Sequence, residues 1–131
     1  MLRFRAPMLR LLTSLALASC VAIGPAHAQA ASAPYDHELQ RLSEILGALH
    51  FLRGICGSKE GQKWRNEAQA LIEAEAPAGE RRDQMVASFN RGYRSFQQSY
   101  RTCTPAADFV IRRYLEEGAK IAREITARYA N

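Results

Sequence analysis

Between residues 36 and 129, apolar side chains recur at steps of three and four. The pattern breaks only at Gly54 with Gly57, at Ala76-Pro77-Ala78-Gly79 and at Thr104-Pro105. A period near 3.6, with no sustained alternation of period two, restricts the chain to helices packed on helices. In the first stretch Leu39, Leu42, Leu46 and Leu49 mark one face. Asp36 is placed to cap its start and the glycines end it, which predicts a helix over 36–53. Ser58 reads as the cap of a second helix, 58–75, with Glu60 in its first turn and Trp64, Ala68, Leu71, Ile72 and Glu75 on or beside one face. A third helix over 80–102 carries a strongly aromatic core stripe of Met85, Phe89, Gly92 or Tyr93, Phe96, Tyr100 and Cys103. Gly92 costs an exposed helix about 1 kcal/mol relative to alanine, and close approach of a neighbouring helix is the use expected of it. Thr104 as cap and Pro105 at the first helical position start a fourth helix, 105–129, with a seam of Ile111, Leu115, Gly118, Ala122, Ile125 and Tyr129. The expected fold is all-α, an antiparallel up-down four-helix bundle forming a single domain over 29–131, with a short lead-in before Asp36.

Cysteine usage depends on compartment, and the first 28 residues set it. Arg3, Arg5 and Arg10 form a positive start, Leu11 to Ile23 is apolar and uncharged, and Gly24-Pro25 ends any helix there. Ala26-His27-Ala28 then supplies a small-x-small cleavage pattern. The expectation is a cleaved export signal over 1–28 and a periplasmic product beginning near Gln29. The alternative is a lipoprotein anchored through Cys20, since Leu17-Ala18-Ser19-Cys20 fits a lipobox. The apolar Val21-Ala22-Ile23 that follows and the good site at Ala28 favour the soluble product. With Cys20 in the signal, Cys56 and Cys103 remain, and an exported chain with two cysteines is expected to bridge them. The alternative is a pair of buried thiols; a zinc site lacks a CxxC or CxxH neighbour to complete it. Closing a loop between residues 47 apart stabilises by roughly 4 kcal/mol in the chain-entropy model. In an up-down bundle the first and third helices end at the same pole, so the bridge and the helix order agree.

Charge excludes one function class. Removal of Arg3, Arg5 and Arg10 takes the net charge from +5 to +2, well short of the clustered excess of a nucleic-acid-binding domain. No second apolar segment approaches the length needed to span a membrane.

No catalytic constellation stands out. His37 and His50 lie thirteen residues apart on one helix, about 20 Å at the standard rise, too far to share a metal. There is no HExxH, CxxCH, GxSxG elbow or glycine-rich phosphate loop, and no cofactor or metal is expected. Glu73 with Glu75 and Glu116 with Glu117 fall on different faces within each pair. Two features carry more information. Along the third helix Phe89, Tyr93, Phe96 and Tyr100 alternate with Arg91, Arg94 and Arg101, beside Asn90. The bland reading is an aromatic core stripe with a charged outer face; the other is a cationic groove for an anionic glycan, a lipid headgroup or an acidic protein. Near the expected bridge, His50, Arg53, Trp64 and Arg65 gather with Tyr100 and Arg101, a set that would suit a recognition patch if Trp64 were exposed rather than packed.

Leu46-Gly47-Ala48-Leu49-His50-Phe51-Leu52-Arg53 with Cys56, then Trp64-Arg65, Phe89-Asn90-Arg91-Gly92-Tyr93, Tyr100 and Cys103, resemble an uncharacterised family of small exported proteobacterial proteins. The resemblance implies export and a disulfide, and it brings no activity, substrate or catalytic residue. The leading expectation is therefore a non-enzymatic accessory or interaction module of the cell envelope. The alternative is a small envelope enzyme or a glycan- or anion-binding protein with its site near His50, which requires His50 to sit in a concave polar pocket. A holdase would need a large exposed apolar patch.

Overall fold

The computed structural model describes residues 32–129; the signal-like segment 1–28 and Cys20 lie outside the described residues. Four helices follow one another: α1 (Asp36–Ile55), α2 (Lys63–Glu75), α3 (Gly79–Ser99) and α4 (Pro105–Tyr129). No strand occurs among the described residues, and no helix among them is long and apolar enough to cross a membrane.

α1 is the hub. It packs against each of the other three helices, most extensively against α3, while α2 touches α3 only lightly. The spacing of Leu39, Leu42, Leu46 and Leu49 suggests one buried face, but Ile45, Leu46, Gly47, Ala48 and Leu49 are all buried in succession. A helical stretch apolar all round belongs in the interior, and over 45–49 the neighbouring helices cover α1. At one end Ile45, Leu49 and Leu52 pack with Ala107 and Ile111 of α4. At the other, Leu39 packs with Ile72 and Ala76 at the end of α2 and with Met85 of α3. Directions follow from the contacts. Asp36 meets Arg81, Gln40 meets Gln84 and His50 meets Tyr93, so α1 and α3 run parallel. Tyr35 meets Tyr129 and Arg41 meets Glu117, so α1 and α4 run antiparallel.

The α1–α3 contact is a backbone-to-backbone crossing made by glycine. A Cβ added to Gly92 would lie 2.9 Å from the carbonyl carbon of Glu44 and 3.1 Å from the Ala48 nitrogen. On the facing side, a Cβ at Gly47 would lie 2.8 Å from the carbonyl carbon of Phe89. The close approach expected of Gly92 is thus present, and Gly47 is its counterpart.

The disulfide Cys56–Cys103 joins the end of α1 to the segment after α3, with the Cα atoms 4.8 Å apart. To reach it, the chain leaves helical geometry at Tyr100 (φ −126°, ψ 124°), so α3 ends at Ser99 rather than at 102. α2 also differs from expectation, starting at Lys63 rather than Ser58. Gly57 and Gly61 both take positive φ, 78° and 55°, and the Ser58 N–H donates back to the Arg53 carbonyl, closing α1. Residues 58–62 are therefore a turn. Its Glu60 carboxylate is occupied by Arg53 and Trp64 instead of facing a helix start. Asp36 is likewise not the cap of α1. It sits in the first turn, where its carboxylate accepts from the Ala33 N–H at 2.8 Å and lies 2.6 Å from Arg81. The α4 start is as expected: the Thr104 hydroxyl accepts from the Ala107 N–H at 3.1 Å. Of its seam, Ile111 and Gly118 are buried and Leu115 and Ile125 half-buried, whereas Ala122 and Tyr129 are exposed, α1 being the one helix whose backbone packs closely along α4.

Candidate functional site

Light contact between α2 and α3 leaves a groove of about 460 Å³ between them, to which α1 contributes His50. Its walls are two helical stripes. α2 contributes Arg65, Ala68, Gln69 and Ile72, spaced i, i+3, i+4, i+7. α3 contributes Asn90, Tyr93, Arg94 and Gln97 at the same spacing, continued toward its start by Phe89, Val86 and Arg82. Such spacing puts each set on one side of its helix. The inward neighbours on both helices, Ala68, Ile72 and Met85, are buried and fix which side that is.

His50 reaches the groove from α1, half-buried, with its ring centroid 5.6 Å from Tyr93 and 6.1 Å from Phe89. Its Nδ1 is buried without a hydrogen-bond partner among the described residues. Burial pushes the imidazole below the ordinary histidine range, and the Arg65 charge adds to the shift. Tyr93 is held in place by Phe51, edge-on at 5.5 Å.

Six other arginines are committed, Arg41, Arg53, Arg81, Arg91, Arg112 and Arg128 each pairing with a carboxylate, while Arg101, Arg113 and Arg123 are exposed and lie outside the groove. Among the described residues, Arg65, Arg82 and Arg94 make no ion pair, and no Asp or Glu lines the groove they share. Three guanidinium groups and an imidazole thus face one cavity without a counter-charge.

The structure divides the candidate patch. It brings His50, Arg65, Asn90, Tyr93 and Arg94 together in this groove. Arg91, three residues from Arg94, points to the other side of α3, 3.5 Å from Glu44 and donating to Ser88 Oγ at 3.2 Å. Arg101 is exposed beyond the end of α3 and does not line the groove. Arg53 and Trp64 belong to a separate clasp: Arg53 Nε donates to Glu60 at 2.8 Å and the Trp64 indole N–H to the same carboxylate at 2.7 Å. Hydrogen bonds from Arg53 and then Trp64 hold the Glu60 carboxyl down at about 2. Trp64 itself is half-buried against the α1–α4 core. Arg82, Gln69 and Gln97 were not singled out from the sequence; the stripe spacing across α2 and α3 is the signal that finds them.

On the other side of α2 a second groove of about 390 Å³ faces α4. Leu42, Ile45, Leu46 and Leu49 form its floor, Trp64, Leu71, Tyr114 and Leu115 its walls, and Lys63 and Glu67 lie at its α2 edge. Between α1 and α4, Arg41 makes a two-point contact with Glu117 at 2.8 and 3.1 Å, which lowers the Glu117 carboxyl and raises the guanidinium. No group of three or more His, Cys, Asp or Glu that could hold a metal occurs among the described residues.

No curated protein and no solved structure matches the chain. A family model does, over residues 34–129, which takes in all four helices, both bridged cysteines and every residue of the groove. The chain belongs to that family, described as "Protein of unknown function (DUF2385)".

Proposed function

We infer that this protein is an exported, non-enzymatic binding module of the cell envelope whose α2–α3 groove takes an anionic ligand. One observation carries the reading: Arg65, Arg82 and Arg94 share a cavity with His50, free of ion pairs among the described residues and with no carboxylate in its lining. An uncommitted guanidinium need break no existing pair to bind an anion, and charge-assisted contacts to carboxylate or phosphate are about twice as strong as neutral hydrogen bonds. The groove sits on packed helices bridged by a disulfide, so its walls are positioned before the ligand arrives. A binding role fits the lining better than catalysis, because His50 has no carboxylate in the groove to orient it or exchange its proton. Export rests on the features of residues 1–28, with the Cys20 lipoprotein as the other processing route.

The test is calorimetric titration with inorganic tripolyphosphate. Arg65→Ala/Arg94→Ala is expected to weaken binding at least tenfold, while Arg91→Ala, which removes the Glu44 partner, leaves it within twofold. Equal losses in both variants, or no binding by the parent protein, would overturn the reading.

A further inference from the structure

Resting on that reading of the groove, we propose that its ligand is an acidic oligosaccharide, with a carboxylate between Arg65 and Arg94 and hydroxyls met by Asn90 and Gln97. Charge alone would not need carboxamides, yet Asn90 and Gln97 flank Arg94 on the same stripe of α3. Neither makes a side-chain hydrogen bond among the described residues. Each amide offers two N–H donors and an acceptor oxygen. That pairing suits hydroxyls, which donate and accept at every position, and is half wasted on a fully ionised phosphate, which only accepts.

Tyr93 lies between the two amides in sequence and lines the same groove, half-buried and held by His50 and Phe51. An immobilised aromatic body with a polar tip suits a ring that presents C–H groups as well as hydroxyls. A long acyl chain fits less well. Its apolar surface would be better met across α2, where the second groove is floored by four aliphatic side chains.

Length is set by the arginines. Arg82 and Arg94 are twelve residues apart on α3, about 18 Å at the helical rise, farther than one sugar ring spans. A chain bearing repeated carboxylates engages both ends at once, so affinity should grow with the number of sugar units.

The experiment titrates the full chain with galacturonic acid, trigalacturonate, tripolyphosphate and hexaglutamate, by calorimetry at one ionic strength. Trigalacturonate is expected to bind at least tenfold tighter than the monomer and more tightly than either other anion. Asn90→Ala/Gln97→Ala replaces two exposed side chains and should weaken trigalacturonate about tenfold while leaving tripolyphosphate within twofold. If tripolyphosphate or hexaglutamate binds as well as the sugar, or the double variant weakens all three alike, the oligosaccharide proposal is overturned and the anion reading stands. Binding of none of the probes overturns both.

Discussion

Replacing Gly92 with alanine adds one methyl group at the crossing of α1 and α3, where the nearest atoms are the backbone of Glu44 and Ala48. The new carbon would lie 2.9 Å from a carbonyl carbon, against about 3.5–4.0 Å for relaxed carbon contacts. No side chain can rotate away, so the two helices must separate by roughly 1 Å, and a gap of that size forfeits a quarter to a half of each contact's attraction. Overpacking of this kind costs about 1–3 kcal/mol and more when backbone must shift; alanine returns about 1 kcal/mol in helix propensity. Because the nearest atom is the Glu44 carbonyl oxygen itself, the cost falls at the upper end of that range, and the net expectation is a loss of about 2 kcal/mol. Urea unfolding of the oxidised protein, followed by far-ultraviolet circular dichroism, measures it. Gly54→Ala is the control, because nothing lies within 4 Å of a Cβ there and Gly54 is in the last turn of the same α1. That variant should be unchanged or more stable. If Gly92→Ala matches Gly54→Ala, the glycine crossing does not hold the two helices together.

Other consequences follow from the same structure. Cys56→Ser/Cys103→Ser should lower stability by roughly 4 kcal/mol, read as a lower urea midpoint that reductant no longer changes. His50 holds its proton less tightly when folded than at its ordinary value of 6.5, so the unfolded chain binds more protons below that value. Stability should therefore fall as pH drops through the histidine range, and His50→Gln should flatten the dependence. Glu60, held at about 2 by Arg53 and Trp64, should stay ionised in a carbon-13 carboxyl titration until well below pH 4. Its contribution to stability is present above the ordinary carboxylate range and lost as pH falls toward 2, and Glu60→Gln should release the Trp64 indole with a change in fluorescence.

The break points of the fold were legible because they depend on local chemistry. Thr104-Pro105 fixes the start of α4 wherever the rest of the chain lies, and the two cysteines meet where the helix order brings them. The burial of α1 on all sides over 45–49 was not legible from a leucine spacing that marks one face. It depends on Gly47 and Gly92 letting α3 approach so closely that Ala48 is enclosed, while α4 covers Ile45 from another side. The start of α2 was misplaced because Ser58 and Glu60 have the chemistry of a helix start, and only the fold shows that Arg53 and Trp64 take the carboxylate. The site shows the same division. His50, Arg65, Asn90, Tyr93 and Arg94 were recognisable by residue type, but Arg91 and Arg94 look alike in sequence. Three residues of helical rotation and the position of Glu44 separate a paired arginine from an open one. Arg82 lies outside the aromatic run that drew attention to the others, and only the α2–α3 groove joins it to them.

The most direct measurement is a nitrogen-15 titration of the arginine Nε–H resonances with tripolyphosphate. Arg65, Arg82 and Arg94 should shift together along one binding curve, while Arg41 and Arg53, held by Glu117 and Glu60, stay in place. Shifts led by Arg101 or Arg113, or movement of all arginines alike, would contradict a defined anion site between α2 and α3.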